Sequence, residues 1–382
     1  MIDEQLQLLP NEPDLDEGAT GLESEDTGGS ATEISEPFDP SQIRVDTRTP
    51  TISLLLSRIE QREIDLAPGF QRKAGIWSIG AQSRLIESLL IRIPLPAFYM
   101  DGTDEDRWLV VDGLQRLTTI KRFVSDRSLE LEGLEFLKQY RGAKYDALPR
   151  SLQRRILETQ VTVFVIQEKT PPEVKFNIFK RINTGGLPLS SQEIRHALNQ
   201  GPAAELLGRL AGSLEFRKAT ANGIRDDRMG DRECVLRFLA FAIHPFAEYI
   251  STELDSFLNN CMAEINRMAE TKLAELEQSF LRSMRAAYAI FGNRAFRKQY
   301  PSSDRRFPIN RALFETWAVT LAGLSDGDLT TAEQRAPNMQ EAFRTLMLDS
   351  DFDRSISQGT GDIGKVRYRF SEIAKITRNT IT

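Results

Sequence analysis

The sequence predicts an α+β chain: a domain mixing helices and strands over residues 43–200, followed by an all-helical domain over 201–382. Three observations carry this. Short β-branched or aromatic runs alternate with helix-period segments as far as about Asn199. Beyond residue 200 the strand signals fade, while Leu254, Phe257, Leu258, Cys261, Ile265 and Met268, then Leu276, Phe280, Leu281, Met284, Tyr288 and Phe291, recur at three- and four-residue steps. Residues 1–42 hold 12 acidic side chains and no Lys or Arg, with no apolar periodicity after Leu9. They read as a disordered acidic tail whose deletion should leave thermal stability nearly unchanged.

Within residues 43–200 the elements follow in order. Residues 51–60 carry apolar positions at helical spacing, and Ile64-Asp65-Leu66 reads as a short strand stopped by Pro68. Ser78 is placed to cap a helix reaching Ile91, with Ala81, Leu85, Ile86, Leu89 and Leu90 on its buried face. Pro94 and Pro96 deliver the chain to a strand over 97–100, and an Asp-Gly turn region leads to a buried strand over 108–111. A helix begins at Gly113. Residues 160–166 are the clearest strand, a helix follows Pro171-Pro172 to about Arg181, and Ser190 opens another, with Glu193 completing a capping box.

Composition bounds the function. With 382 residues, 40% hydrophobic and 27% charged, the chain buries real cores and is neither fibrous nor wholly disordered. No stretch approaches the ~20 apolar residues of a membrane span, and the N-terminus lacks a secretory signal. Two cysteines, Cys234 and Cys261, support neither a disulfide framework nor a Cys-rich zinc site, so a cytoplasmic location is expected. The net charge of -6 conceals a division: outside the acidic tail the balance is +6, and 37 of the 49 basic residues are Arg. Arg suits bidentate phosphate recognition, although scattered surface Arg equally serves as salt-bridge partners.

The densest chemistry lies in the run Trp108 to Ile120. An apolar strand ends in Asp112, Gly113 allows a tight turn, and the next helix begins with unpaired N–H groups at the positive end of its dipole. Such a join can bind a phosphate: Arg116 would contact it, Gln115 would orient a water or a base, and Asp112 would hold magnesium through water. In the plainer reading Asp112 simply caps the helix. Two further polar runs are candidates to converge there, Gly69-Phe70-Gln71-Arg72 and Phe179-Lys180-Arg181-Ile182-Asn183-Thr184-Gly185-Gly186.

Three weaker signals are set aside. Gly359 to Lys365 has the spacing of a Walker A loop, but Val366 stands where Ser or Thr would bind magnesium and no buried strand precedes it. Glu173-x-Lys175 sits at a helix start rather than on a strand. His196 and His244, the chain's two histidines, read as structural.

Taken together, Gly69-Phe-Gln-Arg with Ile76-Trp77, the run from Arg84 to Pro96, Val111-Asp-Gly-Leu-Gln-Arg-Leu-Thr-Thr, and Phe179-Lys-Arg-Ile-Asn-Thr-Gly-Gly with Leu189-Ser-Ser-Gln-Glu-Ile-Arg resemble, in this order, the N-terminal domain of GmrSD-type restriction endonucleases. The resemblance covers about residues 50–200. It implies a ParB/sulfiredoxin-like fold and an Asp-Gly-x-Gln-Arg motif that binds and hydrolyses nucleoside triphosphates in defence against foreign or modified DNA. Carried over, it implicates Asp112, Gly113, Gln115 and Arg116. Leu114 stands where the family more often has Gln, which removes one polar contact.

The expected function is thus a nucleotide-binding, NTP-hydrolysing module. Asp112, Gln115 and Arg116 are its catalytic candidates, and Gly113, Gln71, Arg72, Arg181, Asn183, Thr184 and Gly185 its binding candidates. Magnesium is expected with the nucleotide, and DNA and a partner nuclease or ATPase chain are expected partners. The rival is a non-catalytic DNA-binding or regulatory subunit. The family's His-Asn-His nuclease domain is not recognisable in this chain.

Overall fold

The structure, a computed structural model, describes residues 21–23, 44–66, 77–168, 170–182, 190–225, 228–251 and 253–382. Backbone contacts divide it into two units, one within 37–198 and the other comprising 199–382 together with residues 21–23.

The first unit contains β1 (Val45–Arg48), α1 (Ile52–Glu60), β2 (Ile64–Asp65), α2 (Ile79–Leu90), β3 (Phe98–Gly102), β4 (Trp108–Asp112), α3 (Leu114–Val124), α4 (Arg150–Glu158), β5 (Val163–Gln167), α5 (Pro172–Ile182) and α6 (Ser191–Leu198). The strands form one mixed sheet in the order β1-β5-β3-β4-β2. β3 runs parallel to β5 and antiparallel to β4, and β2 is parallel to β4. Alternation along the strands gives the sheet two apolar faces. Phe98, Met100, Val110, Val163 and Val165 pack with α1, α2, α3 and Ile156 of α4, whereas Val111 and Ile166 pack with Phe176 and Phe179 of α5 and Ile194 of α6. A register shift between Tyr99 and Met100 bulges the β3–β4 ladder beside Asp112, which pairs with Tyr99. Bulges re-aim the side chains next to them.

Local chemistry explains the helix starts. The Thr51 hydroxyl accepts from the Leu54 N–H, the Ser78 hydroxyl from the Ala81 N–H, and Ser190 and Glu193 close the expected capping box at 3.1 and 2.5 Å. α2 buries more than its apolar stripe, however. Gln82 and Glu87 are buried and hydrogen-bonded to other segments, and Ala81 is only half-buried. The strand expected over 97–100 lies instead at Phe98–Gly102, because Pro96 and Ala97 present their carbonyls to Arg116 rather than to a neighbouring strand.

The second unit is helical: α7 (Pro202–Ala211), α8 (Leu214–Ala219), α9 (Gly230–Ile243), α10 (Leu254–Ile265), α11 (Glu270–Phe291), α12 (Arg311–Ala322), α13 (Asp326–Gln334), α14 (Ala336–Leu346), α15 (Ser350–Ser357) and α16 (Ile363–Ile381). α12 is central, packing against α9, α11 and α16, and its Trp317 and Phe314 are fully buried. Its Glu315 is buried too, ion-paired with Arg369 and Arg237. No helix among the described residues is long and apolar enough to cross a membrane.

One expectation is corrected here. Residues 21–23, placed in the disordered tail, are part of the helical unit: Leu22 is 4% exposed and sits in its core. A single Leu between Gly21 and Glu23 gives no periodicity, so the sequence pattern could not reveal that it is buried.

Candidate functional site

The strand–turn–helix join forms as the spacing predicts, with its residues in altered roles. Gly113 has φ +95° and is the N-cap of α3, with no side-chain cap hydrogen bond. Asp112 therefore does not cap the helix. A Cβ at Gly113 would lie 2.3 Å from Cδ1 of the fully buried Phe98, so both the backbone conformation and the close approach require glycine. The first bond of α3 runs from the Leu117 N–H to the Gly113 carbonyl at 2.9 Å. The N–H groups of Leu114, Gln115 and Arg116 precede it, at the positive end of the helix dipole.

Arg116 is 8% exposed. Its guanidinium donates to the carbonyls of Pro96 and Ala97 and, at 2.7 Å, to Oδ2 of Asp112, and it lies 4.6 Å from the Phe98 ring centroid. Burial pushes its pKa down and the Asp112 carboxylate pushes back, so the group stays a cation held by the fold. The Asp112 side chain keeps 31% of its surface exposed.

Gln115 also points into the fold. Its Oε1 accepts from the Trp77 N–H at 3.4 Å, while Gln82 donates to the Trp77 carbonyl at 2.6 Å and accepts from Arg122. Trp77 immediately follows residues 67–76, so Gln115 fixes the chain where it leaves that stretch. Gln71 and Arg72 lie outside the described residues, as do Asn183, Thr184 and Gly185. Arg181 stands exposed on the last turn of α5, and among the described residues none of the hydrogen bonds around Asp112 and Arg116 involves it. α5 itself is tied to the site's strand through Phe176 and Phe179 against Val111.

Two groupings of side chains escaped the sequence reading, one of them around the Lys175 already noted. Lys175 is buried, and its Nζ donates to Oδ1 of Asp101 at 3.2 Å and to the Thr103 hydroxyl. The Asp-Gly-Thr turn at 101–103 was the available signal, but nothing in the spacing joins it to a lysine more than 70 positions away. A cavity of about 300 Å³ lies at the other end of β4, roughly 13 Å along the strand from Asp112. Arg48, Arg58, Glu63, Trp108 and Gln167 line it, with both guanidiniums 4.6 Å from the Trp108 ring centroid. Arg48, Arg58, Trp108 and Gln167 come from β1, α1, β4 and β5 and Glu63 from the turn before β2, so no single local motif marks them.

The signals set aside behave as structural parts. α15, a helix rather than a strand, precedes Gly359, and Asp362 caps α16 while Lys365 donates to the Gln358 carbonyl. His196 is buried in α6, and His244, at the end of α9, is 2.7 Å from Glu264. Among the described residues no three His, Cys, Asp or Glu side chains come together as metal ligands.

The mixed sheet has helices on both faces, an Asp-Gly-x-Gln-Arg turn closes one of its strands, and the domain is joined in this chain to a helical remainder. Residues 52–199 match the family described as GmrSD restriction endonuclease, N-terminal domain. No curated protein matches the chain.

Proposed function

We propose that the chain is a nucleotide-binding, NTP-hydrolysing module of a prokaryotic restriction-type defence system acting on foreign or modified DNA. The observation that supports this most is the start of α3: three N–H groups without a side-chain cap, opened by a left-handed Gly113 and flanked by the part-exposed Asp112. Helix starts of this kind favour phosphate oxygens. Arg116 then acts by holding the turn against β3, and Asp112 would hold, through water, magnesium arriving with the nucleotide. Gln71, Arg72, Arg181, Asn183, Thr184 and Gly185 are assigned to the ligand by their place in the sequence.

The test is a binding and hydrolysis screen of the four common nucleoside triphosphates with magnesium on wild type and Asp112→Asn. Binding by both and turnover by wild type alone supports the reading, and no binding by either rejects it. A second reading, a non-catalytic DNA-binding or regulatory subunit working with a separate nuclease or ATPase chain, draws on one observation: the Arg116 guanidinium is already engaged inside the fold, which leaves less of it for a transferring phosphate. DNA affinity that falls steeply with salt, together with nucleotide binding but no turnover, would favour it.

A further inference from the structure

Residues 21–23 are held by the helical unit at each position in turn. Gly21 has φ +70°, and a Cβ there would sit 1.7 Å from the Gly223 carbonyl oxygen, so no other residue fits this approach. Leu22 enters the core against Gly230, where a Cβ would stand 2.4 Å from its Cδ1. The absence of a side chain at Gly230 is thus what makes room for the leucine. Glu23 is read by charge and hydrogen bonding: its carboxylate meets Lys298 Nζ at 2.8 Å and accepts from the Asn310 amide at 2.9 Å.

The backbone is bound as well. The Ile309 N–H donates to the Gly21 carbonyl, the Glu23 N–H donates to the Ile309 carbonyl at 2.8 Å, and Arg311 donates to the Glu23 carbonyl. Leu22 forms a parallel bridge to Ile309, which on its other side bridges Arg297. The segment therefore adds a strand-like edge to a pre-existing pair, with one side chain in a pocket and one on a cation. This is how β-augmentation sites read short peptides.

We propose that the helical unit carries a docking site for an extended Gly-Leu-Glu segment and that the chain's own residues 21–23 are its occupant. The site selects three consecutive positions by three different means: exclusion of a Cβ, an apolar pocket, and the Lys298 ammonium with the Asn310 amide, which together bind a carboxylate. Lys298 has a second acidic partner, Asp353 at 3.2 Å, so it keeps a counter-charge when the segment leaves.

The test uses the full-length chain carrying Leu22→Ala, which weakens the internal occupant and leaves the site intact, titrated with a fluorescent peptide of residues 15–30. The expected result is saturable binding at least tenfold tighter than to the wild-type chain, whose own segment competes at high effective concentration. Peptides with Gly21→Ala or Leu22→Ala should bind at least tenfold more weakly than the native peptide. Equal binding to the variant and wild-type chains, or no loss with Gly21→Ala, would overturn the proposal. Should the variant chain unfold, the native peptide must restore its cooperative melting, and failure to do so would also overturn it.

Discussion

Gly113 and Arg116 hold the β4–α3 turn for different reasons, and their substitutions should differ accordingly. Gly113→Ala meets both a left-handed backbone and the Phe98 ring, and should lower stability by about 1–3 kcal/mol in denaturant titrations. Arg116→Ala removes a buried cation from two carbonyls and a carboxylate, and should cost about 3 kcal/mol even without nucleotide. An unchanged unfolding midpoint for Arg116→Ala would show that the guanidinium serves the ligand rather than the fold. The motif itself was legible because glycine after an apolar strand, followed by a helix-period run, is a local pattern. That Arg116 turns inward to Pro96 and Ala97 was not, since its acceptors are backbone groups some 20 positions upstream.

At the scale of elements, the polar face of α2 works as a buried anchor. Glu87 accepts from the N–H groups of Glu135, Phe136 and Leu137 at 3.0, 2.8 and 2.7 Å, and Ser83 accepts from the Glu132 N–H. Burial pushes the Glu87 pKa up, but the three N–H donors together with Arg84 outweigh it, so the carboxyl lies below its ordinary value. A depressed carboxyl contributes stability above its unfolded pKa, roughly 4.3, and that contribution is lost as pH falls through the folded value. Glu87→Gln should therefore destabilise by about 1.5–3 kcal/mol at pH 7, with the gap to wild type narrowing as pH falls below the ordinary carboxylate range. A gap that stays constant as the pH is lowered from 7 until the carboxyl is protonated would contradict the assignment. The helix starts at Thr51, Ser78 and Ser190 were readable because a cap and its target lie within three residues. Glu87 reads as surface for the opposite reason, because its partners are 48 to 50 positions away.

Across the whole molecule, each unit has a hydrophobic core of its own, and both cysteines belong to the helical one. Cys234 and Cys261 are buried and burial pushes both thiols up, so neither should react with an aromatic disulfide reagent while that unit is folded. In Arg116→Ala, warmed until the sheet-containing unit has melted, the thiols should remain protected. Rapid labelling under those conditions would show that the two cores unfold together. Deleting residues 1–23 should lower the helical unit's melting temperature, since a buried leucine and the part-exposed Glu23 partner of Lys298 leave with them. The acidic composition of residues 1–42 hid this, because one apolar side chain does not change the character of a charged segment.

The central claim is that the uncapped start of α3 receives phosphate. The most direct measurement is a nuclear magnetic resonance titration of the isotope-labelled chain with magnesium nucleoside triphosphates, following the backbone N–H signals of Gly113 to Arg116. Saturable shifts at Leu114, Gln115 and Arg116 with at least one nucleotide are the predicted result. Signals that stay in place at millimolar concentrations of all four would contradict it.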